Sequence, residues 1–348
     1  GRASLGGGKL CSVRTEVTEG TTMDIDLRLL KQVEAEREIP FKELVQIIEE
    51  AVVAAFHRAV GNHDPARAVL DQKTGKVSIL VPVLDEEGEQ TGEETDATPE
   101  NFGRIAAYSA KQVIAQRLRE LNDDAVFGEF QGKEEDIVTG VIEQGPKPYL
   151  VYVNLGTVEA MLPDSEQVPG EDYSHGKRYR FYVTKVARGT RGGAQVTVSR
   201  SHPSLVRKLF AFEVPEIANG DVEIVQVARE AGHRTKIAVR ATKPGVNAKG
   251  SCIGELGQRV RAVGAELNDE KIDIVDFSED LPEFVAHALS PAKVSSCFML
   301  DAATKHVRAL VPDFQLSLAI GKEGQNVRLA ARLTGAKIDV QPDSILEG

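Results

Sequence analysis

One nine-residue segment occurs twice in the chain, and this repeat constrains the fold more than any other feature of the sequence. Residues 253–261 read IGELGQRVR, and residues 320–328 read IGKEGQNVR, 67 positions further on. A shorter match follows each copy, because the Lys-Ile-Asp at 271–273 recurs at 337–339. Self-similarity of this kind is typical of two copies of one structural unit. We therefore expect two consecutive modules after Arg200.

Both copies lie in the same predicted order of elements. Two strand-like apolar runs precede each copy, at 222–227 and 235–241 and then at 294–300 and 306–311. Each unit thus reads helix, strand, strand, helix, Gly-x-x-Gly, helix, strand. This order predicts an α+β fold for the first module (residues 201–278) and for the second module (residues 279–348).

The Gly-x-x-Gly segments, Gly254 to Gly257 (the first loop) and Gly321 to Gly324 (the second loop), suit an anion-binding turn. Glycine lets the backbone approach a phosphate without an intervening Cβ, and free N–H groups at a helix start attract anions. Arginines that follow each loop can hold neighbouring phosphates. A Gly-x-x-Gly pair alone is weak evidence, but the shared Ile before each loop and Gln-x-Val-Arg after it make the signal specific.

The loops and the first turns after them are the predicted nucleic-acid contacts. In the first module these residues are Gly254, Glu255, Leu256, Gly257, Gln258, Arg259 and Arg261. In the second module they are Gly321, Lys322, Glu323, Gly324, Gln325, Asn326, Arg328 and Arg332. Because the first loop carries an acidic and an apolar residue between its glycines, we expect it to bind mainly through backbone N–H groups.

Residues 131–200 change to short strands separated by Gly and Pro turns. The five predicted strands are 137–142, 150–155, 159–162, 179–186 and 195–199. This pattern predicts a small closed β-barrel of the OB type, with the Gly-x-x-Gly at Gly189 as one of its turns. Aromatic and basic side chains are interleaved here, and bases of single strands often stack on aromatic rings. We predict Tyr149, Tyr152 and Arg191 as contacts.

The first third of the chain is predicted to be an α/β domain over residues 23–130. It has helices over 24–60 and 101–122, strands at 66–70 and 76–84, and a charged loop at 85–100. A hinge is expected at 123–132. Residues 1–22 are Gly-rich, and we expect a disordered tail before a natural start at Met23.

Charge divides the chain into an acidic first third and a nearly neutral remainder. Residues 23–131 hold 12 Lys and Arg against 22 Asp and Glu, a net charge of -10. Residues 132–200 are neutral, and residues 201–348 carry a net charge of -2. An acidic domain repels phosphates and suits a basic protein surface. Nucleic-acid binding is therefore expected after residue 131.

Several classes of protein are disfavoured by what the sequence lacks. The three cysteines include no C-x-x-C pair, and the histidines have no metal-ligand spacing. No apolar run reaches the roughly 18 residues of a membrane span, and residues 1–22 lack the apolar segment of a signal peptide. We expect a cytoplasmic protein without metal or cofactor.

Short motifs across most of the chain resemble a known family. The segments 140–141 (GV), 149–156 (YLVYVNLG), 176–177 (GK) and 196–200 (VTVSR) resemble an S1 RNA-binding domain. The segments 212–217 (FEVPEI), 236–239 (KIAV) and 318–330 resemble two tandem KH domains, similar to type II, of the NusA family. The order of an acidic helical domain, S1, KH and KH also resembles that family.

The resemblance implies a non-enzymatic factor in transcription elongation, termination and antitermination. The first domain would dock on DNA-directed RNA polymerase near the RNA exit region. The S1-KH-KH part would bind nascent single-stranded RNA, each KH loop clamping about four nucleotides. Together they would modulate pausing and hairpin-dependent termination with other Nus factors. Because the joints contain no long Gly/Ser linker, we expect S1-KH-KH to be one rigid platform.

Two other functions are compatible with such modules. Some phosphorolytic exonucleases carry KH and S1 domains, but they need a large catalytic core, for which the first 130 residues are too short. A ribosome-associated RNA-binding protein without polymerase contact is the other alternative. A pull-down with core RNA polymerase would separate it from a transcription factor.

Overall fold

The computed structural model describes residues 25–37, 39–145, 147, 149–190 and 192–347. The predicted tail at 1–22 and the predicted contact Arg191 lie outside the described residues. The chain divides into two compact units, the first ending at Leu121 and the second beginning at Asn122. Among the described residues, no helix combines the length and apolarity needed to cross a bilayer.

The first unit packs helices against a three-stranded antiparallel sheet of order β1-β2-β3. Its elements are α1 (Leu27–Arg37), α2 (Phe41–Val60), β1 (Arg67–Leu70), β2 (Val77–Leu84), β3 (Gln90–Asp96) and the first part of α3 (Phe102–Gln131). The apolar residues of α2 recur at helical spacing, so Leu44, Ile48 and Val52 are buried together against Ile79 of β2. The predicted mixed helix–sheet domain is confirmed.

Strand β3 corrects the prediction of a charged loop at 85–100. All seven of its residues are exposed, so no apolar alternation marks the strand in the sequence. It pairs with β2, with Leu80 opposite Asp96 and Leu84 opposite Gln90. Across the sheet, Arg67 Nη2 lies 2.5 Å from Glu94 Oε2. Backbone pairing rather than side-chain burial therefore defines this strand.

The hinge expected at 123–132 is helical as far as Gln131, because α3 is longer than predicted. Its final turns carry three apolar residues, Val126, Phe127 and Phe130. All three pack in the core of the β-barrel that follows, and Phe130 is buried there. Residues 123–131 thus form a helical packing surface. The acidic residues among its apolar ones interrupt the pattern from which a helix would be predicted.

The second unit begins with a closed five-stranded barrel of order β4-β5-β6-β8-β7. Its strands are β4 (Ile137–Gln144), β5 (Val151–Asn154), β6 (Glu159–Leu162), β7 (Arg178–Arg188) and β8 (Ala194–Ser199). Alternate residues point inward, as in β5, where Val151 and Val153 are buried and Tyr152 is half-buried. The predicted five-stranded barrel is confirmed.

Two copies of one α+β module follow the barrel. The first module contains α4 (Pro203–Glu213), α5 (Pro215–Ala218), β9 (Val222–Glu230), β10 (Arg234–Ala241), α6 (Ala248–Ile253), α7 (Gln258–Glu266) and β11 (Lys271–Asp276). The second contains α8 (Leu281–Ala288), β12 (Ser296–Asp301), β13 (His306–Val311), α9 (Leu316–Ile320), α10 (Gln325–Thr334) and β14 (Lys337–Pro342). In both, the middle strand pairs antiparallel with the first and parallel with the last. The predicted element order is confirmed.

A buried arginine joins the barrel to the first module. The Arg200 side chain is 0% exposed and donates two hydrogen bonds to Glu171, Nε to Oε1 at 2.7 Å and Nη2 to Oε2 at 2.8 Å. It also donates to the carbonyl oxygens of Arg180 and Glu266, at 2.9 and 2.8 Å. Burial alone would raise the pKa of Glu171, but the hydrogen bonds and charge of Arg200 hold it below its usual range.

The two modules share one apolar core. Ala228, Ala238 and Val275 of the first module's sheet pack with residues of the second module's helices, including Val285 of α8 and Leu329 of α10. A polar bond accompanies this core. The buried Lys236 Nζ donates to Asp273 Oδ2 at 2.9 Å and to the carbonyl oxygen of Ser290 at 2.5 Å. Barrel and modules thus form a single packed unit.

Candidate nucleic-acid interface

The first and second loops have the same backbone conformation. Gly254 has φ 75° and ψ 175°, and Gly321 has φ 76° and ψ 168°. Gly257 has φ 75° and ψ 15°, and Gly324 has φ 72° and ψ 15°. Each loop ends where a helix begins, so the first N–H groups of α7 and α10 have no partner within their own helix. Both modules therefore present the anion-binding end of a helix beside a glycine loop.

Different structural constraints require glycine at the first and last positions of the loops. Gly254 and Gly321 occupy a backbone region that only glycine adopts readily. An added Cβ would lie 2.6 Å from Arg259 Cγ in the first loop and 2.7 Å from the Asn326 backbone nitrogen in the second. At Gly324 the left-handed backbone conformation is the constraint, because no atom lies within 4 Å of an added Cβ.

The third residue of each loop projects into solvent and exposes its carbonyl oxygen to an arginine. Leu256, with φ 54°, is 87% exposed, and Glu323, with φ 56°, is also exposed. Arg261 Nη1 donates to the carbonyl oxygen of Leu256 at 2.5 Å, and Arg328 Nη1 donates to that of Glu323 at 3.0 Å. The predicted contacts Arg261 and Arg328 are thus equivalent in position and lie against their loops.

Arg259 and Asn326 serve the scaffold of the loops. Asn326 is 1% exposed, and its Nδ2 donates to the carbonyl oxygens of Leu289 and Ala319 at 3.0 and 2.9 Å. Arg259 Nη1 donates to Glu216 Oε2 and to the carbonyl oxygen of Ser251, both at 2.8 Å. Each side chain links its helix to the segment before the loop. Asn326 is buried, and Arg259 is half-buried.

The second loop carries more accessible positive charge than the first. Three cations, Lys322, Arg328 and Arg332, are exposed around it together with one carboxylate, Glu323. Around the first loop, Glu255, Gln258 and Arg261 are exposed. Since phosphate binding depends on cationic groups near the backbone, the second loop is the better electrostatic site of the two.

The barrel places its two predicted aromatic contacts in different environments. Tyr149 is 57% exposed, and Lys147 Nζ lies 5.6 Å from its ring centroid. Tyr152 is half-buried between Glu143 and Met161 on neighbouring strands. Tyr149 thus offers a ring face beside a cation, whereas Tyr152 has a carboxylate next to it.

Comparison with known proteins gives matches along most of the chain. Family models match as NusA N-terminal domain over residues 27–89 and 83–124, NusA-like first KH domain over 200–277, and NusA-like second KH domain over 281–347. A relative from Mycobacterium tuberculosis (strain ATCC 25618 / H37Rv), named transcription termination/antitermination protein NusA, is 52% identical over 329 residues, covering 92% of this chain and 94% of the relative. The chain belongs to the NusA family.

A second NusA relative, from Bacillus subtilis (strain 168), is 44% identical, with 91% of each chain covered. The first and second modules are accordingly the two KH domains of the NusA family. The closed barrel that precedes them has the five strands of an S1 domain.

One residue near the second loop is not predicted by any sequence motif. Glu230, at the end of β9 in the first module, accepts hydrogen bonds from Gln325 and Arg328 of the second. No local pattern marks this position, because its partners are 95 and 98 residues away in the sequence. Only the packing of one module on the other brings the three side chains together.

Proposed function

We propose that this chain, like the relatives whose name it matches, acts in transcription termination and antitermination by binding nascent single-stranded RNA while it is attached to RNA polymerase. It performs no catalytic step. The proposal of RNA binding rests on the two glycine loops, which have matching backbone conformations. Each loop lies beside a helix N-terminus, and both belong to one packed unit with a β-barrel. Unpaired RNA suits such loops because its backbone and bases are both accessible.

The contacts divide into ligands and supports. Backbone N–H groups at the start of α7 and α10, together with Arg261, Lys322, Arg328 and Arg332, bind phosphates in this proposal. Tyr149 stacks a base on its exposed ring. Arg259 and Asn326 hold the loops in shape from behind.

The first unit supplies the polymerase contact in this proposal. Its exposed hairpin of β2 and β3 carries acidic side chains, including Glu86, Glu87, Glu89 and Glu93. Such a surface repels RNA and attracts basic protein surfaces. Other Nus factors are proposed as further partners of the assembled complex.

The RNA-binding half is tested with substitutions at Gly324, whose surroundings leave room for a side chain. Gly324→Asp places a carboxylate at the helix N-terminus, in the path of a phosphate. Gly324→Asn has nearly the same shape without the charge, and Asn tolerates the left-handed conformation. We expect Gly324→Asp to weaken binding of single-stranded RNA by roughly tenfold or more, and Gly324→Asn to weaken it much less.

A second control separates charge at the loop from charge elsewhere on the same helix. Gly335 ends α10 with φ 73° and, like Gly324, has no atom within 4 Å of an added Cβ. Gly335→Asp should therefore leave RNA affinity nearly unchanged. Equal RNA affinity of the Gly324→Asp variant and the unsubstituted chain would show that the second loop is not the clamp.

A further inference from the structure

Three donors of the second module converge on one carboxylate of the first. Gln325 Nε2 donates to Glu230 Oε2 at 2.8 Å, and Arg328 Nε donates to Glu230 Oε1 at 2.5 Å. Arg332 Nη1 lies 4.0 Å from the same Oε1. All three donors belong to α10, the helix that begins at the second loop. The Glu230 carboxylate therefore lies against the face of α10 that carries Arg328 and Arg332.

Glu230 is ionised and sheltered in this position. The hydrogen bond from Arg328 lowers the pKa of Glu230, although partial burial acts in the opposite direction, and Gln325 lowers it further. Its side chain is 16% exposed, whereas that of Arg328 is 43% exposed. The carboxylate thus carries a full negative charge at neutral pH, and the arginine it holds is open to solvent.

Carboxylate and phosphate oxygens compete for the same guanidinium donors. Arginine binds both anions through its planar N–H groups, and an N–H that points at one oxygen is not free for another. In the structure, Arg328 uses Nε for Glu230 and Nη1 for the Glu323 carbonyl oxygen. A phosphate at the second loop would meet an arginine whose charge is already balanced.

The first loop provides an internal comparison. Arg261 occupies the position equivalent to Arg328 and makes the equivalent bond to its loop carbonyl. Within the part of the chain that the structure describes, no carboxylate forms an ion pair with Arg261. Of the two equivalent arginines, Arg328 at the second loop is therefore the one paired with a carboxylate. The exposed cations are concentrated at the same loop.

We propose that Glu230 is a built-in competitor for RNA phosphate at the second loop, so that RNA binds there by displacing Glu230 from Arg328. The inference rests on the proposed RNA-binding function. It makes Glu230 a residue that sets RNA affinity without itself binding RNA. It also means that occupancy of the second loop by RNA loosens a bond between the two modules.

The test is Glu230→Gln in the full chain, which removes the charge and keeps the shape and one of the two acceptor oxygens. An unstructured single-stranded RNA is titrated at several salt concentrations. We expect the variant to bind roughly threefold to tenfold more tightly at low salt, because Arg328 is no longer neutralised. The slope of log affinity against log salt should change little, because Arg328 neutralises the same phosphate in both proteins once RNA has displaced Glu230.

Two matched variants identify the cause of any gain. Glu223→Gln removes the same charge from the same strand β9, where Glu223 accepts from Arg240 Nε at 2.9 Å. It should change RNA affinity far less than Glu230→Gln. In an Arg328→Gln background, Glu230→Gln should give little further gain, because its main partner is absent.

The outcomes distinguish this inference from the proposed function. Affinity that is unchanged or lower in Glu230→Gln, or an equal gain in Glu223→Gln, would overturn the competitor role. If the unsubstituted chain binds RNA and Gly324→Asp does not, such a result leaves the proposed function standing. If the unsubstituted chain fails to bind single-stranded RNA, the proposed function fails and the inference fails with it.

Discussion

Single residues decide the shape of the second loop, and its two glycines should differ in how they tolerate a methyl group. At Gly321 a Cβ would press against the backbone nitrogen of Asn326, in a conformation that other residues avoid. At Gly324 the space is open, so alanine adds only the strain of a left-handed residue.

We therefore expect Gly321→Ala to lower the free energy of unfolding of the second unit by about 2–4 kcal/mol and Gly324→Ala by about 1 kcal/mol. Urea denaturation, followed by a probe placed in the second module, measures both. Equal losses would show that the clash at Gly321 relaxes without cost.

At the residue scale, the sequence identifies those side chains whose role depends on a local motif. The loop glycines, Arg261 and Arg328 all follow from the repeated segment, and in the structure each arginine donates to a carbonyl oxygen of its own loop. Asn326 was predicted as an RNA contact, yet its side chain is buried and bonded to two carbonyl oxygens. The motif specifies which residue stands there but not which way it faces.

At the scale of elements, the joint between barrel and first module depends on Arg200. Removing one partner of a buried ion pair leaves the other charged and unsolvated. Arg200→Met should therefore lower the free energy of unfolding by about 3–5 kcal/mol at neutral pH. Arg240→Met, which breaks an exposed pair with Glu223 in the same unit, should change it little.

The effect of Arg200→Met should also depend on pH. The lowered pKa of Glu171 means that its contribution to stability is present above the usual carboxyl pKa and is lost as the pH falls through the lowered value. The difference in unfolding free energy between the two proteins should therefore shrink in acid. A difference that stays constant between neutral and acidic pH would contradict this assignment.

Strand β3 allows the proposed polymerase contact to be tested at the same scale. Glu87 and Glu93 are exposed on the β2–β3 hairpin, so Glu87→Lys with Glu93→Lys reverses its charge without disturbing a core. We expect roughly tenfold weaker binding to core RNA polymerase at low salt, with less effect at high salt. The control is Glu50→Lys with Glu100→Lys, two exposed positions off the hairpin. Equal weakening by both pairs would exclude a specific role for the hairpin.

Elements with an apolar pattern could be predicted from the sequence, and those without one could not. The barrel strands and the repeated modules alternate or recur at clear spacing, and they were found in the predicted order. Strand β3 has no buried residue, and the end of α3 mixes acidic with apolar side chains. Both depend on partners elsewhere in the chain, which a local pattern does not contain.

At the scale of the whole molecule, the barrel and the two modules act as one body because their joints are packed. The apolar core shared by the modules and the Arg200 bonds to Glu266 of α7 leave no free linker between them. These joints were expected from the absence of Gly/Ser-rich sequence, but their residues were not, since ion pairs over such separations have no sequence signature. In the proposed function, the two loops therefore approach RNA as parts of one rigid body.

The proposed function is tested by transcript release by core RNA polymerase at a hairpin terminator, measured with and without the full chain. We predict that adding the chain changes the released fraction, and that Gly324→Asp removes most of this change while Gly335→Asp keeps it. A released fraction unaffected by the chain would contradict a role in termination. A change that Gly324→Asp fully retains would contradict the role of the second loop in RNA binding.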